Sequence, residues 1–367
     1  MYIHEQPDWP HFTWHDKRLR VPLGQLRLRY GRLQGKLDAL GFSPQTETTL
    51  ASLTLDATRS AEIEGERLEL EQVRSSVARR LGLEIPDPVP SSREVDAMVD
   101  LTLDAIRRCR EPLTEERLLT WQTTLFPTGR SGLYRIRTGA WRDDAHGPMQ
   151  VVSGGLGRER VHFQAPDAAR LPEEMTRFLE WFETESDQDP ILDAAIAHLW
   201  FVTLHPFDDG NGRIARALAD LKLSRMDGGS VRFYSLSAAI LAERKEYYRV
   251  LELTQAGSTE ITMWLEWFLG CMDRSLEKAE ESIGTVLRRH AFWLRHGSTS
   301  LNDRQRKLLT LLLDGLEGKL TTGRWAKIAR CSSDTALRDI QALLESGILE
   351  RDEGGGRSTG YRIVEVG

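Results

Sequence analysis

The chain has 367 residues, with 49 Lys and Arg against 55 Asp and Glu, a net charge of −6 and a hydrophobic share of 40%. That is enough for a sizeable core in about two to three domains, and the charge excludes any global attraction to nucleic acid or anionic membrane. Three scattered cysteines (Cys109, Cys271, Cys331), with no CxxC and no Cys/His cluster, argue against a disulfide framework or structural zinc. No apolar run approaches the roughly 18 residues of a membrane span, so no membrane partner is expected. The start MYIHEQPDWPHFTW is polar and aromatic, without a leader-like apolar stretch, and the expected location is the cytoplasm.

Three sections follow in chain order. Residues 1–90 read as a helical extension. A first helix covers LGQLRLRYGRLQGKLDAL and is closed by Gly41; a second runs from about Thr48 to Ser60, ending near Glu64-Gly65. A third, LEQVRSSVARRLGL, spaces Val73, Val77 and Leu81 as one buried face requires. The segment IPDPVPSS reads as a linker. Residues 91–290 are mostly helical by periodicity, with helices at Leu171–Glu183 and Ile191–Thr203. Between them and the linker, Met149–Val152 and Arg160–Phe163 form a predicted β-hairpin around the turn GGLGRER.

Residues 301–367 change texture. Helices over Leu301–Leu313, Thr321–Ala329 and Ser332–Leu344, then two strands around a glycine-rich turn in ILERDEGGGRSTGYRIV, predict a winged helix-turn-helix. The fold class expected for the whole is mainly α, a helical core with a small hairpin and this C-terminal module.

The chemistry concentrates in FVTLHPFDDGNGRIARALADL. Pro206 disfavours helical backbone at His205, so the preceding helix ends there and His205 stands at a loop mouth. Phe207 is the loop's large apolar anchor. Gly210, Asn211 and Gly212 tolerate positive φ and can aim several N–H groups at one anion. A helix starting at about Arg213 adds the positive end of its dipole, and Arg213 and Arg216, at i and i+3, emerge on one side. A phosphate nest, two arginines, a carboxylate suited to Mg²⁺ and a histidine within 12 residues match phosphoryl or nucleotidyl transfer. The segment has no GxxxxGK[ST] and is not a Walker A loop.

HPFDDGNGRIAR is similar, position for position, to the Fic family motif HPFx[D/E]GNGRxxR. The resemblance implies a protein adenylyltransferase, moving AMP from ATP to a Ser, Thr or Tyr hydroxyl of a target protein or of itself. His205 would be the general base. Asp209 would hold Mg²⁺, and Asp208 is counted with the nucleotide-binding loop. Gly210, Asn211 and Gly212 would cradle the α- and β-phosphates, Arg213 would bind phosphate, and Arg216 would hold the γ-phosphate. The glycine at 212 resembles AMP-transferring members. VHFQAP resembles the family's flap strand, so the hairpin 149–165 would dock the target by strand addition. In ERKEYYRVLELTQ, Tyr248 resembles the edge of the adenine pocket.

Ser60-Ala-Glu-Ile-Glu64-Gly65 matches the family's inhibitory motif [S/T]xxxE[G/N]. Ser60 and Glu64 lie one turn apart on one face, and Gly65 can end the helix in the left-handed region. Glu64 would meet Arg216 in bidentate geometry and occupy the γ-phosphate space. The N-terminal extension and C-terminal module resemble one bacterial Fic subfamily.

The C-terminal section holds 11 Lys/Arg and 10 Asp/Glu, a balance of +1. Its expected recognition helix, SSDTALRDIQALLES, carries one arginine and three acids, poor for a phosphate-lined groove, though Arg357 in the wing could touch DNA. DNA binding is weighed there against protein docking or homodimerisation. The rival functional readings are a DNA-binding regulator with the core as sensor, and an enzyme that removes AMP at the same site.

Overall fold

The structure, a computed structural model, describes residues 1–38, 42–145, 147–153, 160–228, 232–297, 299–316, 318–352 and 359–364. The expected closing Gly41, the turn at 154–159 and the wing turn with Arg357 lie outside them. The fold is mainly α-helical with small hairpins. Two compact units divide the chain, Met1–Glu280 and Glu281–Gly367.

The first unit begins with α1 (Asp16–Asp38), α2 (Phe42–Ile63), α3 (Leu70–Leu81), α4 (Arg93–Arg107) and α5 (Glu115–Leu125). Two hairpins follow: β1 (Arg130–Ser131) with β2 (Tyr134–Arg135), and β3 (Gln150–Ser153) with β4 (Arg160–Gln164). Then come α6 (Leu171–Glu183), α7 (Pro190–Leu204), α8 (Asn211–Met226), α9 (Leu236–Ala242), α10 (Arg244–Gln255) and α11 (Thr262–His296), whose residues from Glu281 on are counted in the second unit.

α7 is the centre of this unit. Every residue from Ile191 to Leu204 is buried, as a helix apolar on all sides must be. α8 lies along it, and α2 packs against α3, α4, α8 and α9. Asp56 fixes the seat of α2, accepting from Ser235 Oγ (2.6 Å) and Ser237 N–H (3.1 Å) at the start of α9. That seat matters because the C-terminal end of α2 reaches the site described below.

Three sequence expectations change. α1 begins at Asp16, earlier than expected, and runs through Pro22; packing of Leu19 and Leu26 on one buried face outweighs the missing N–H. α2 is longer than the Thr48–Ser60 stretch. The proline-rich segment at 85–92, expected as a linker, is strapped to α3: Val89 N–H donates to Ser75 Oγ and Ser92 N–H to Gln72 Oε1, both at 3.0 Å.

β3 and β4 pair antiparallel, Val151 opposite Phe163 and Val152 opposite Val161, so His162 is the extra residue of an irregularity. Its ring is held from both sides, Nδ1 2.9 Å from Glu252 Oε2 on α10 and Nε2 2.6 Å from Ser153 Oγ.

In the second unit, α12 (Asp303–Leu313), α13 (Thr322–Ala329) and α14 (Ser333–Glu345) precede a hairpin of β5 (Leu349–Arg351) and β6 (Tyr361–Ile363). Asn302, Thr321 and Ser332 cap the three helices. Leu308, Leu309, Trp325, Ile340, Leu343 and Ile348 make its core.

Candidate active site

Helix α7 stops at Leu204 because His205 adopts left-handed backbone, φ 47°, ψ 55°, ahead of Pro206. Arg142, itself buried, holds this corner: its Nε donates to His205 O at 2.8 Å, its backbone N–H to Pro206 O at 2.9 Å, and its Nη1 meets Asp144 Oδ1 at 2.9 Å. His205 Nδ1 lies 3.3 Å from Val202 O. With the proton on Nδ1, Nε2 is left as a free lone pair. Burial holds the imidazole below its ordinary pKa of 6.5, and the Arg142 charge adds to the lowering against the Val202 carbonyl. The ring is therefore neutral at pH 7.

Phe207 is fully buried against Trp141 and Phe201. The Asn211 side chain grips its backbone twice, Oδ1 accepting from Phe207 N–H (3.0 Å) and Nδ2 donating to Phe207 O (2.7 Å). What Asn211 can offer an anion is thus its main-chain N–H alone. Its position also sets the start of α8, two residues before the expected Arg213. Gly210 precedes it with φ 92°, and a Cβ there would meet the Phe126 ring at 3.0 Å, so this turn requires glycine.

The two aspartates point differently. Asp208 Oδ2 accepts from Arg137 N–H at 2.7 Å, tying the loop to the segment after β2. Asp209 is partly exposed; Oδ1 accepts from Gly210 N–H at 2.5 Å and lies 3.5 Å from Arg213 Nη2, while Oδ2 accepts from Ser131 Oγ.

The arginines are sunk into the protein. Arg216 is 1% exposed. Its Nη1 donates to Glu64 Oε1 at 2.8 Å, its Nε to Ser60 Oγ at 2.9 Å and its Nη2 to Ser60 O at 2.8 Å. Burial works against its charge, but Glu64, together with Tyr247 and Tyr248, leaves the guanidinium above its ordinary pKa. The expected bidentate pair is therefore corrected: one Glu64 oxygen reaches Arg216 at Nη1, while Ser60 takes Nε and Nη2. The second, Oε2, lies 3.5 Å from Tyr248 Oη. Gly65 has φ 87° and Glu66 N–H closes on Ala61 O at 3.1 Å, a turn that ends α2. Gly212 faces this carboxylate so closely that a Cβ would stand 2.2 Å from Glu64 Oε1. Arg213 pairs with Glu66, which the sequence reading did not single out.

Glu64, His205, Gly212, Tyr247 and Tyr248 line a cavity of about 580 Å³, closed on another side by Val151, Val152 and His162 of the hairpin. Below it, His198 Nε2 lies 2.8 Å from the Tyr247 hydroxyl, and burial, with Arg216 nearby, pushes His198 down to about 3. His198 is thus a buried neutral partner, unlike His205 at the cavity wall.

Residues 112–223 match the Fic/DOC family, and residues 2–83 match a domain of unknown function, DUF4172. The chain carries a Fic/DOC domain. Protein adenylyltransferase Fic of Drosophila mojavensis is 27% identical over 260 residues, 68% of this chain and 46% of that protein. Its counterpart in Drosophila willistoni is 32% identical over 137 residues, 36% of this chain and 26% of that one. The chain thus spans well under two thirds of these curated relatives. Among solved structures, a Fic family protein from Desulfovibrio desulfuricans G20 superimposes with TM-score 0.53 at 22% identity, covering 94% of this chain and 97% of that one. Fic-1 (residues 134–508) from C. elegans gives 0.50 at 22%, covering 72% and 74%. These likenesses concern the fold.

The Fic domain does not build the cavity alone. Ser60, Glu64 and Glu66 come from the DUF4172 region, and Tyr248 from α10 beyond the match. Ser131 and Arg142 lie inside the Fic domain, and sequence reasoning missed both. The glycines around Ser131 and the aromatic-charged string GAWRDD were the only cues to them.

Proposed function

We propose that the chain is a protein adenylyltransferase that moves AMP from ATP onto a Ser, Thr or Tyr hydroxyl of a target protein or of itself, restrained by Glu64. The observation that carries this reading is that His205, Gly212 in the first turn of α8 and Glu64, which holds the buried Arg216, line one cavity. Phosphates would sit against the N–H groups of Asn211 and Gly212 in the first turn of α8, where the helix dipole favours an anion, and against the Gly210 N–H once Asp209 gives it up. Arg213 and Arg216 supply fixed positive charge, and the γ-phosphate would take the place of Glu64 on Arg216. Tyr248 would edge the adenine.

The target oxygen attacks the α-phosphorus, the bond to the pyrophosphate oxygen breaks, and the hydroxyl proton passes to His205 Nε2. Arg142 fixes the backbone corner that carries that imidazole. Asp209 offers a partly exposed hard-oxygen donor of the kind Mg²⁺ takes from a protein when phosphates and waters complete its shell; bound there with nucleotide, Mg²⁺ would offset phosphate charge. The target segment would lie along the hairpin 149–165 as an added strand.

We read the second unit as a winged helix. The exposed face of α14 presents Asp334, Arg338 and Glu345, a balance that favours a protein surface over the phosphate backbone of DNA. The test is incubation with labelled ATP and Mg²⁺ of the native chain, His205→Ala and Glu64→Gly. Label on protein from Glu64→Gly, and none from His205→Ala, is the expected result. Equal labelling of all three overturns the proposal.

A further inference from the structure

We propose that Glu66 is an affinity-setting residue for nucleotides, a second carboxylate that any bound diphosphate or triphosphate must displace, acting independently of Glu64. The inference rests on the nucleotide-transfer reading above.

Glu64 and Glu66 flank Gly65, whose positive φ turns the chain so that the two carboxylates diverge onto different arginines. Arg213 Nη1 donates to both Glu66 oxygens at 2.8 Å. The guanidinium is fixed: it is buried, it stacks on the Phe126 ring with Cζ 4.9 Å from the centroid, and its Nε is buried without a partner among the described residues. Glu66 is the opposite case, its side chain 46% exposed. A fixed, buried cation facing a half-exposed carboxylate is a pair in which the anion is exchangeable and the cation is not. Glu66 can swing into water at little desolvation cost, whereas Arg213 keeps its need for negative charge. A phosphate oxygen meets that need, and the orphaned Nε–H supplies one more donor.

The division of labour follows from position. Arg213 lies in the first turn of α8, beside the N–H groups of Gly212 and Asn211, where inner phosphates would lie. Arg216 stands one turn further in. Every nucleoside diphosphate and triphosphate would compete with Glu66, and only a triphosphate with Glu64. Glu64→Gly on its own therefore leaves Arg213 neutralised.

The test is calorimetric titration of the full chain with Mg-ADP and Mg-ATP, using native protein, Glu66→Gln, Glu66→Ala and Glu64→Gly. Both Glu66 variants should bind ADP about two- to fivefold more tightly, the range of a partly exposed charge pair, and ATP by a similar factor. Glu64→Gly should leave ADP affinity near native. Native-like or weaker ADP binding by folded Glu66 variants overturns the inference, as does loss of cooperative unfolding in both, which makes the pair structural. If Glu64→Gly binds ATP and transfers label while the Glu66 variants match native, only Glu66's role fails. If neither native protein nor Glu64→Gly binds nucleotide, the transfer reading fails and the inference goes with it.

Discussion

Glu64 meets Arg216 through one oxygen at 2.8 Å across 152 residues of sequence, and Ser60, one helical turn earlier, holds the rest of the guanidinium. Ser60 therefore anchors Arg216 while Glu64 covers the side open to the cavity. A hydrogen bond to a charged group contributes about 1.5–3 kcal/mol, so Glu64→Gly should raise self-labelling by about tenfold or more, read from turnover with labelled ATP. Ser60→Ala should act differently, leaving a buried Arg216 donor unmatched and lowering the urea midpoint without raising transfer. Higher transfer from Ser60→Ala would show that Ser60 belongs to the restraint.

His205 is held neutral by burial, its pKa below 6.5. A base works in its deprotonated form, so transfer should be full at neutral pH and fall only as pH drops through that lowered value. The acid limb of kcat/KM should lie below 6.5. His205→Ala should cut label transfer by about 10²–10⁴-fold while ATP still binds. A limb above 6.5 would contradict the assignment.

Asn211→Ala removes both side-chain bonds to Phe207 and leaves a buried N–H and C=O unmatched. At about 1–3 kcal/mol for each, the denaturation midpoint and the transfer rate should fall together. A variant with native stability would mean that Asn211 does not hold the loop.

Asp209→Asn should weaken the Mg²⁺ dependence of nucleotide binding, seen as a rightward shift in Mg²⁺ titrations. Ser131→Ala, which frees Asp209 Oδ2, should shift the same titration by a smaller amount. An unchanged Mg²⁺ curve for Asp209→Asn would place the cation elsewhere.

The sequence made the helical character and the loop from His205 to Arg216 legible, because proline, glycine and arginine spacing act locally there. Glu64 was legible as a partner for Arg216 only through a known motif. Its single-oxygen geometry was not, since Ser60's backbone carbonyl leaves no mark in a side-chain pattern. Arg142 and Ser131 reach His205 and Asp209 from 63 and 78 residues away, and no periodicity encodes such contacts. The β1–β2 hairpin escaped because two-residue strands have no alternation to read. The early start of α1 at Asp16 escaped as well, because Leu19 and Leu26 share a buried face that spans Pro22.

The hairpin beside the cavity is shored up from the chain's first residues. His4 Nε2 lies 2.9 Å from Gln164 O, Tyr2 stands edge-on to Phe163, and Trp9 Nε1 donates to Glu174 at 3.0 Å. The catalytic unit is therefore not an excisable cassette. A fragment cut at residue 91 would strip Tyr2 and His4 from Phe163, and Trp9 and Phe12 from Trp200, exposing those rings to water. It would lose Glu64 as well, so any change in its behaviour would report the loss of hairpin support and the loss of Glu64 at once.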